Sequence, residues 1–105
     1  MSKMLFSLSL CRKAGALVMG FDAVQETVLK GKTDLVLLAA DAADGTKKRA
    51  ERFCEDLAEI YTLPDTQWEL CGVSKKPVAV FCVTDENLAA LCRKTLEQME
   101  EPKDH

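Results

Sequence analysis

The chain has 105 residues, of which 48% are hydrophobic and 30% charged, and its formal net charge is −3. A chain of this length forms one domain with its own core, and no apolar run reaches the roughly 18–20 residues that a membrane-spanning helix needs. The near-neutral charge excludes a strongly basic, non-specific nucleic-acid binder, so any RNA contact must be local.

The cysteines predict a reducing, cytoplasmic location. Five are present, and none forms a Cys-x-x-Cys pair. An odd number at scattered spacings is a poor disulfide framework. Cys54, Cys82 and Cys92 fall on apolar faces, where a free thiol behaves as a small buried hydrophobe.

The first third of the chain predicts a helix, a short strand and a second helix. Met4 and Leu8 belong to an apolar face at helical spacing. A short apolar strand follows over residues 16–19. Asp22 is the expected N-cap of the next helix, and Gly31 its left-handed stop.

An unbroken apolar run over residues 35–40 predicts a central strand that is covered on both faces. The crossover through the second helix favours parallel pairing of this strand with the strand at 16–19. A turn at residues 44–46 is expected next. A helix with an apolar set from Ala50 to Ala58 should follow, and its first half is crowded with basic residues.

The remaining chain predicts an alternation of short elements in an α/β fold with a mixed sheet. These are a third strand at 60–63, a Thr66–Glu69 capping box opening a helix through Cys71, a loop at 72–77, a buried strand at 78–83 and a closing helix from residue 84 or 85. An acidic, disordered tail is expected over residues 100–105. Trp68, the only tryptophan, is expected to be a core or lid residue rather than a platform on which a base stacks.

Catalytic and metal-binding motifs are missing from the sequence. Gly31-Lys32-Thr33 resembles the end of a phosphate-binding loop, but Glu26 stands where its first glycine belongs. No G-x-G-x-x-G occurs, and the single imidazole is the terminal His105. We therefore expect no catalytic residue, no metal, no cofactor and no enzymatic activity.

Three loops are instead expected at one end of the sheet, because binding loops in α/β folds follow the carboxyl ends of strands. They combine a helix N-terminus, hydroxyl groups and lysines, which suit a folded RNA backbone read by shape. The candidate RNA-binding residues are Gly20, Phe21 and Asp22 in the first loop, Thr46, Lys47 and Lys48 in the second, and Val73, Ser74 and Lys75 in the third.

Four stretches carry a resemblance to a known family: Leu17-Val18-Met19-Gly20, residues 35–42, Gly45-Thr46-Lys47-Lys48 and Gly72-Val73-Ser74-Lys75. Together they resemble the kink-turn RNA-binding ribosomal protein superfamily of the L7Ae/L30e/S12e/Gadd45-like type, and most closely its small bacterial YlxQ-type members. The resemblance implies a three-layer α-β-α sandwich with a central four-stranded mixed sheet, formed as one domain by residues 1–99. It also implies RNA recognition through the helix after Gly20 and the loop before the last strand.

The recognition motif of that family resembles G-x-N-E-x-x-K, and this chain departs from it. Asp22 replaces the amide with a group that only accepts, Ala23 removes an acceptor, and Glu26 reverses a charge that faces phosphates. Lys30, one turn beyond Glu26, is the expected substitute cation.

The resulting prediction is a non-enzymatic RNA-binding protein of the ribosomal kink-turn type with a degenerate motif. Its partner is a structured RNA, either a kink-turn or ribosomal RNA, with the ribosome or a protein as a further partner and neither membrane nor DNA. The lost motif residues and the acidic tail leave one alternative open. In that alternative the chain is a protein-interaction module on the same fold, without specific RNA binding.

Overall fold

The structure, a computed structural model, describes residues 3–100, and residues 3–98 where side chains are concerned. Helices and strands alternate along the chain after the first helix. In order they are α1 (Lys3–Lys13), β1 (Leu17–Met19), α2 (Phe21–Leu29), β2 (Leu35–Leu38), α3 (Asp44–Cys54), β3 (Glu59–Thr62), α4 (Gln67–Ser74), β4 (Val80–Val83) and α5 (Glu86–Glu100).

The four strands form one mixed sheet in the order β1-β4-β2-β3. β2 runs parallel to β3, whereas β4 is antiparallel to both β1 and β2. The mixed sheet is confirmed, but direct pairing of β1 with β2 is wrong, because β4 lies between them. β2 and β4 are buried at every position, so they take the two central places, and the less buried β1 and β3 take the edges.

Helices cover both faces of the sheet, which confirms the three-layer α-β-α sandwich. Alternate residues of β2 point to opposite faces. Leu35 and Leu37 pack in a core with residues of α1, α4 and α5. Val36 and Leu38 pack in a second core with residues of α2 and α3.

The first turn of α2 differs from the prediction. Gly20, at a φ of 102°, is the N-cap, and Asp22 is an exposed second residue of the helix with no capping role. Gly20 also donates its amide to the Val80 carbonyl at 2.9 Å, so this one residue ends the β1–β4 ladder and begins the helix. Only glycine adopts such a φ without strain. Gly31, at a φ of 72°, follows the helix end as predicted.

The boundaries of α3 were also predicted incorrectly. Residues 44–46 form the first turn of the helix, because Ala43 in extended conformation already serves as the N-cap. The helix ends at Cys54, since Glu55 has a φ of 27°. Leu57 therefore lies outside α3, and 53% of it is exposed.

The capping box at α4 is confirmed. Thr66 Oγ1 accepts from the Glu69 amide at 3.2 Å, and Glu69 Oε1 accepts from the Thr66 amide at 2.8 Å. The helix continues to Ser74, so the loop predicted from residue 72 begins only at Lys75, which ends α4 at a φ of 70°.

Trp68 is 80% exposed, so its prediction as a core or lid residue is wrong. The buried face of α4 consists of Leu70, Val73 and Ser74. Trp68 stands two positions before Leu70, and residues two apart on a helix point in different directions.

The cysteines are free, and all are buried except the half-buried Cys71. The prediction that Cys54, Cys82 and Cys92 are core residues is confirmed. No helix in the described part of the chain is both long and apolar enough to cross a membrane. α5 ends at Glu100, the first residue of the expected tail, and the rest of that tail lies outside the described residues.

Candidate functional site

One edge of the sheet gathers the loops that carry the candidate residues. β1 and β2 end there and β4 begins there, because β4 runs antiparallel to both. The Gly20 amide bonds the Val80 carbonyl and the Ala39 amide bonds the Ala79 carbonyl, each at 2.9 Å. We call this surface, made by residues 19–22, 39–48, 63–67 and 75–79, the loop edge.

The start of α4 is tied to the loop that follows β2. The Ala40 amide donates to the Asp65 carbonyl at 2.8 Å, and the Gln67 amide donates to Asp41 Oδ1 at 2.9 Å. The first turn of a helix has four amides without intrahelical partners, and Asp41 accepts from one of them. α4 therefore begins at the loop edge.

Cations reach the loop edge from two different elements. Lys47 and Lys48 project from the first half of α3, beside the half-buried Thr46. Lys75 and Lys76 are exposed in the segment between α4 and β4. The structure thus brings together lysines that lie 27 or more positions apart in sequence, as expected from the strand directions.

Phe21 does not present a free ring, because Arg49 covers it. The Arg49 guanidinium carbon lies 4.3 Å from the Phe21 ring centroid, within cation–π range. Phe21 also contacts Phe53 edge to face, with centroids 5.4 Å apart. Arg49 was not among the candidate residues, although the basic run at the start of α3 was a visible signal for it.

The structure places Lys30 away from the loop edge. α2 starts at the loop edge, and its nine residues span about 13 Å at 1.5 Å per residue. Lys30 caps the far end of this helix, where its Nζ lies 3.5 Å from Glu26 Oε1. Lys30 was expected to substitute for the cation that the motif has at position 26. Instead it pairs with Glu26, the residue that occupies that position.

Val73 and Ser74 are 2% and 5% exposed, so their side chains face the interior. Arg12 donates to the Val73 carbonyl. Ser74 Oγ donates to the carbonyls of Leu70 and Lys76. These contacts hold the turn that presents Lys75 and Lys76 to solvent.

Acidic side chains share the loop edge with the lysines. Asp22, Asp41 and Asp44 are all exposed there. Asp41 accepts from the Gln67 amide. Asp44 lies in the first turn of α3, where its negative charge interacts favourably with the positive end of the helix dipole. The charge is therefore mixed, and any anion must approach by way of the lysines.

Within residues 3–98, no group of His, Cys, Asp and Glu side chains is arranged to hold a metal ion. Burial raises the pKa of Cys54 and Cys82 to about 11, which keeps both thiols protonated near neutral pH. Since the thiolate is the reactive form, these buried cysteines are poor nucleophiles.

Comparison with known proteins gives one family match and several similar structures. The family model described as the ribosomal protein L7Ae/L30e/S12e/Gadd45 family matches residues 2–99. A structure of a protein with unknown function from Bacillus halodurans has 25% identity and a TM-score of 0.83, over 92% of this chain and 99% of the other. The Giardia lamblia 15.5kD RNA binding protein has 20% identity and a TM-score of 0.73, over 92% of this chain and 84% of the other. No curated protein gives a significant sequence match.

Proposed function

Because the chain belongs to the ribosomal protein L7Ae/L30e/S12e/Gadd45 family, we propose that it is a non-enzymatic protein that binds a structured RNA at its loop edge. The observation that carries this proposal is the convergence of Lys47, Lys48 and Lys75 on one edge of the sheet. The similar Giardia protein, which is named for RNA binding, supports the same class of ligand. Within the family we place the chain among the small bacterial YlxQ-type members, with a cytoplasmic location.

RNA recognition at this edge rests on the backbone and on shape. The lysines lie on α3 and in the segment after α4, and they suit phosphates that lie some distance apart on a folded RNA. The first turn of α2 adds amides without a side-chain cap, next to the open backbone of Gly20. Val73 and Ser74 contribute by fixing the turn that carries Lys75.

Kink-turn specificity is reduced in this proposal. Asp22 and Ala23 are exposed at the start of α2, so the two positions that read bases in the resembled motif are present without the matching chemistry. Glu26 is exposed one turn further on, and Lys30 offsets its charge only in part. Each lost base contact removes about 1–3 kcal/mol of discrimination.

The test is a titration of labelled kink-turn RNA at two salt concentrations, beside a stem-loop that lacks the G·A pairs. We expect salt-sensitive binding to both, with a modest preference for the kink-turn. Lys75→Glu should weaken binding strongly. Lys32→Glu is the matched control, because Lys32 is exposed next to the last residues of β4, at the opposite end of the sheet.

Two outcomes contradict the proposal. Equal losses from Lys75→Glu and Lys32→Glu would show that the loop edge is not the binding surface. Absence of any salt-sensitive binding to either RNA would favour the protein-interaction module instead.

Restoration of the motif tests the specificity separately. The triple variant Asp22→Asn, Ala23→Glu, Glu26→Lys regains the amide, the acceptor and the cation of the resembled motif. We expect its affinity for the kink-turn to rise by about tenfold or more, with little change for the stem-loop beyond the added charge. An equal gain for both RNAs would indicate a purely electrostatic effect.

A further inference from the structure

The side chain of Trp68 is the most exposed large apolar side chain in the described part of the chain, with 80% of it open to solvent. It is the second residue of α4, just after the Thr66 cap. An indole in this position gains nothing from the core, and exposed aromatics of this size are enriched where a partner binds. The fold therefore does not account for Trp68.

Trp68 shares a face of α4 with a glycine, and a lysine ends the helix. Gly72 lies one turn after Trp68, at the spacing of residues on one side of a helix, and Lys75 is the left-handed residue that ends α4 three positions later. A Cβ at Gly72 would meet no atom within 4 Å, so the surface beyond the indole is open. An extended ligand has a path from the aromatic ring to the cation.

A groove beside Gly72 carries further positive charge. It lies between α1 and α4, has a volume of about 350 Å³ and is lined by Ser9, Arg12, Lys13, Gly72 and Val73. Arg12 and Lys13 are both exposed, in addition to Lys75.

Two exposed carboxylates near the start of α4 accept from backbone amides. Glu69 Oε1 accepts from Thr66, and Asp41 Oδ1 accepts from Gln67. Both remain charged, so the cations that a phosphate can use are those of the groove and the end of α4, namely Arg12, Lys13 and Lys75.

The charge around Trp68 suits a nucleotide. Gly72 lies on the same face of α4, and Lys75, Arg12 and Lys13 supply cations beyond it. Of the other exposed large apolar side chains, Leu29 and Leu57 lie at the far end of α2 and at the far end of the sheet, and Phe6 lies on α1. An exposed aromatic ring beside cations is the arrangement that stacks on a base and holds its phosphates.

We propose that Trp68 stacks on an unpaired base of the bound RNA, and that Lys75, Arg12 and Lys13 hold the adjoining phosphates. The inference rests on the proposed RNA binding and specifies a ligand feature that the loop edge alone does not, an unpaired nucleotide next to the structured part.

Trp68 is the only tryptophan in the chain, so its fluorescence reports directly on the stack. The probes are a labelled kink-turn RNA with unpaired nucleotides and the same RNA made abasic at those positions. Label anisotropy measures binding, and indole emission measures stacking. We expect the first RNA to quench Trp68 and the abasic RNA to bind about tenfold more weakly without quenching.

Variants separate stacking from general binding. Trp68→Ala should lose about tenfold in affinity for the RNA with bases and nothing for the abasic RNA, and Trp68→Tyr should recover most of the loss. Leu57→Ala is the control, because it removes an exposed apolar side chain at the opposite end of the sheet and should change neither value.

The inference is overturned if Trp68→Ala binds both RNAs as the wild-type chain does, or if the abasic RNA quenches equally. In both cases the proposed function stands as long as Lys75→Glu still weakens RNA binding. Loss of all RNA binding overturns both proposals. A Trp68→Ala effect confined to self-association, measured by sedimentation, identifies a protein contact and also overturns the stack.

Discussion

Removal of the side-chain caps at α4 gives a stability prediction that follows from two hydrogen bonds. Thr66→Ala deletes the acceptor of the Glu69 amide, and Asp41→Ala deletes the acceptor of the Gln67 amide. Loss of an N-cap acceptor costs about 1 kcal/mol of unfolding free energy, with a range of about 0.5–2 kcal/mol. Both sites are exposed, so water partly replaces the lost oxygens, and the central value is the appropriate one for each variant.

The two variants act on different amides of one helical turn. We therefore expect the double variant to cost about 2 kcal/mol, with a small coupling because the sites are close. For a domain of this size, about 1 kcal/mol lowers the melting temperature by about 4–8 °C. Asp41 also places a negative charge near the positive end of the helix, so part of its effect should weaken at high salt.

The assay is urea and thermal unfolding, followed by far-ultraviolet circular dichroism. Thr66→Ser is the control, because serine keeps the oxygen that accepts from Glu69 and is at least as good an N-cap. We expect the free energy of unfolding of Thr66→Ser to match that of the wild type within about 0.3 kcal/mol. If Thr66→Ser costs as much as Thr66→Ala, the methyl group rather than the cap is responsible, and the reasoning fails.

Three further predictions concern a core leucine and the cysteines. Leu37 is 0% exposed in the central strand, so Leu37→Ala should cost about 2–5 kcal/mol in urea unfolding, and a value below about 1 kcal/mol would contradict the packing described. Burial raises the pKa of Cys54 and Cys82 to about 11, so the folded chain favours their neutral thiols. The free energy of unfolding should therefore be unaffected by these thiols below pH about 8.5, where they are also neutral in the unfolded chain. It should fall in urea unfolding as the pH rises from there towards about 11. A thiol reagent at pH 8 should therefore modify half-buried Cys71 rapidly and these two only after unfolding, and fast native-state labelling of Cys54 or Cys82 would refute the assignment.

Much of the candidate site could be inferred from strand directions. Lys47, Lys48 and Lys75 were expected at one edge because they follow or precede buried strands, and the structure places them there. Their role in RNA binding remains a prediction. Lys30 was inferred only from its spacing to Glu26, and helix length carries it to the other end of α2.

Other parts of the site depended on how long α4 is. Cys71 was expected to end the helix because residues 72–77 were taken as the loop into the last strand, yet Leu70 and Val73 pack into the same core and the helix continues to Ser74. Their burial turns Val73 and Ser74 inwards. The same packing leaves Trp68 exposed to solvent, although its residue type alone favoured a place in the core.

Elements whose signals are local could be predicted from the sequence alone. The apolar runs at residues 35–40 and 78–83 required strands covered on both faces, and the Thr66–Glu69 spacing defined a helix start. Three other features became visible only in the folded chain: β4 separates β1 from β2, Arg49 covers Phe21, and Trp68 faces solvent. These features depend on which distant surfaces bury most apolar area together, and that competition is settled when the layers pack, not within any single stretch of the chain.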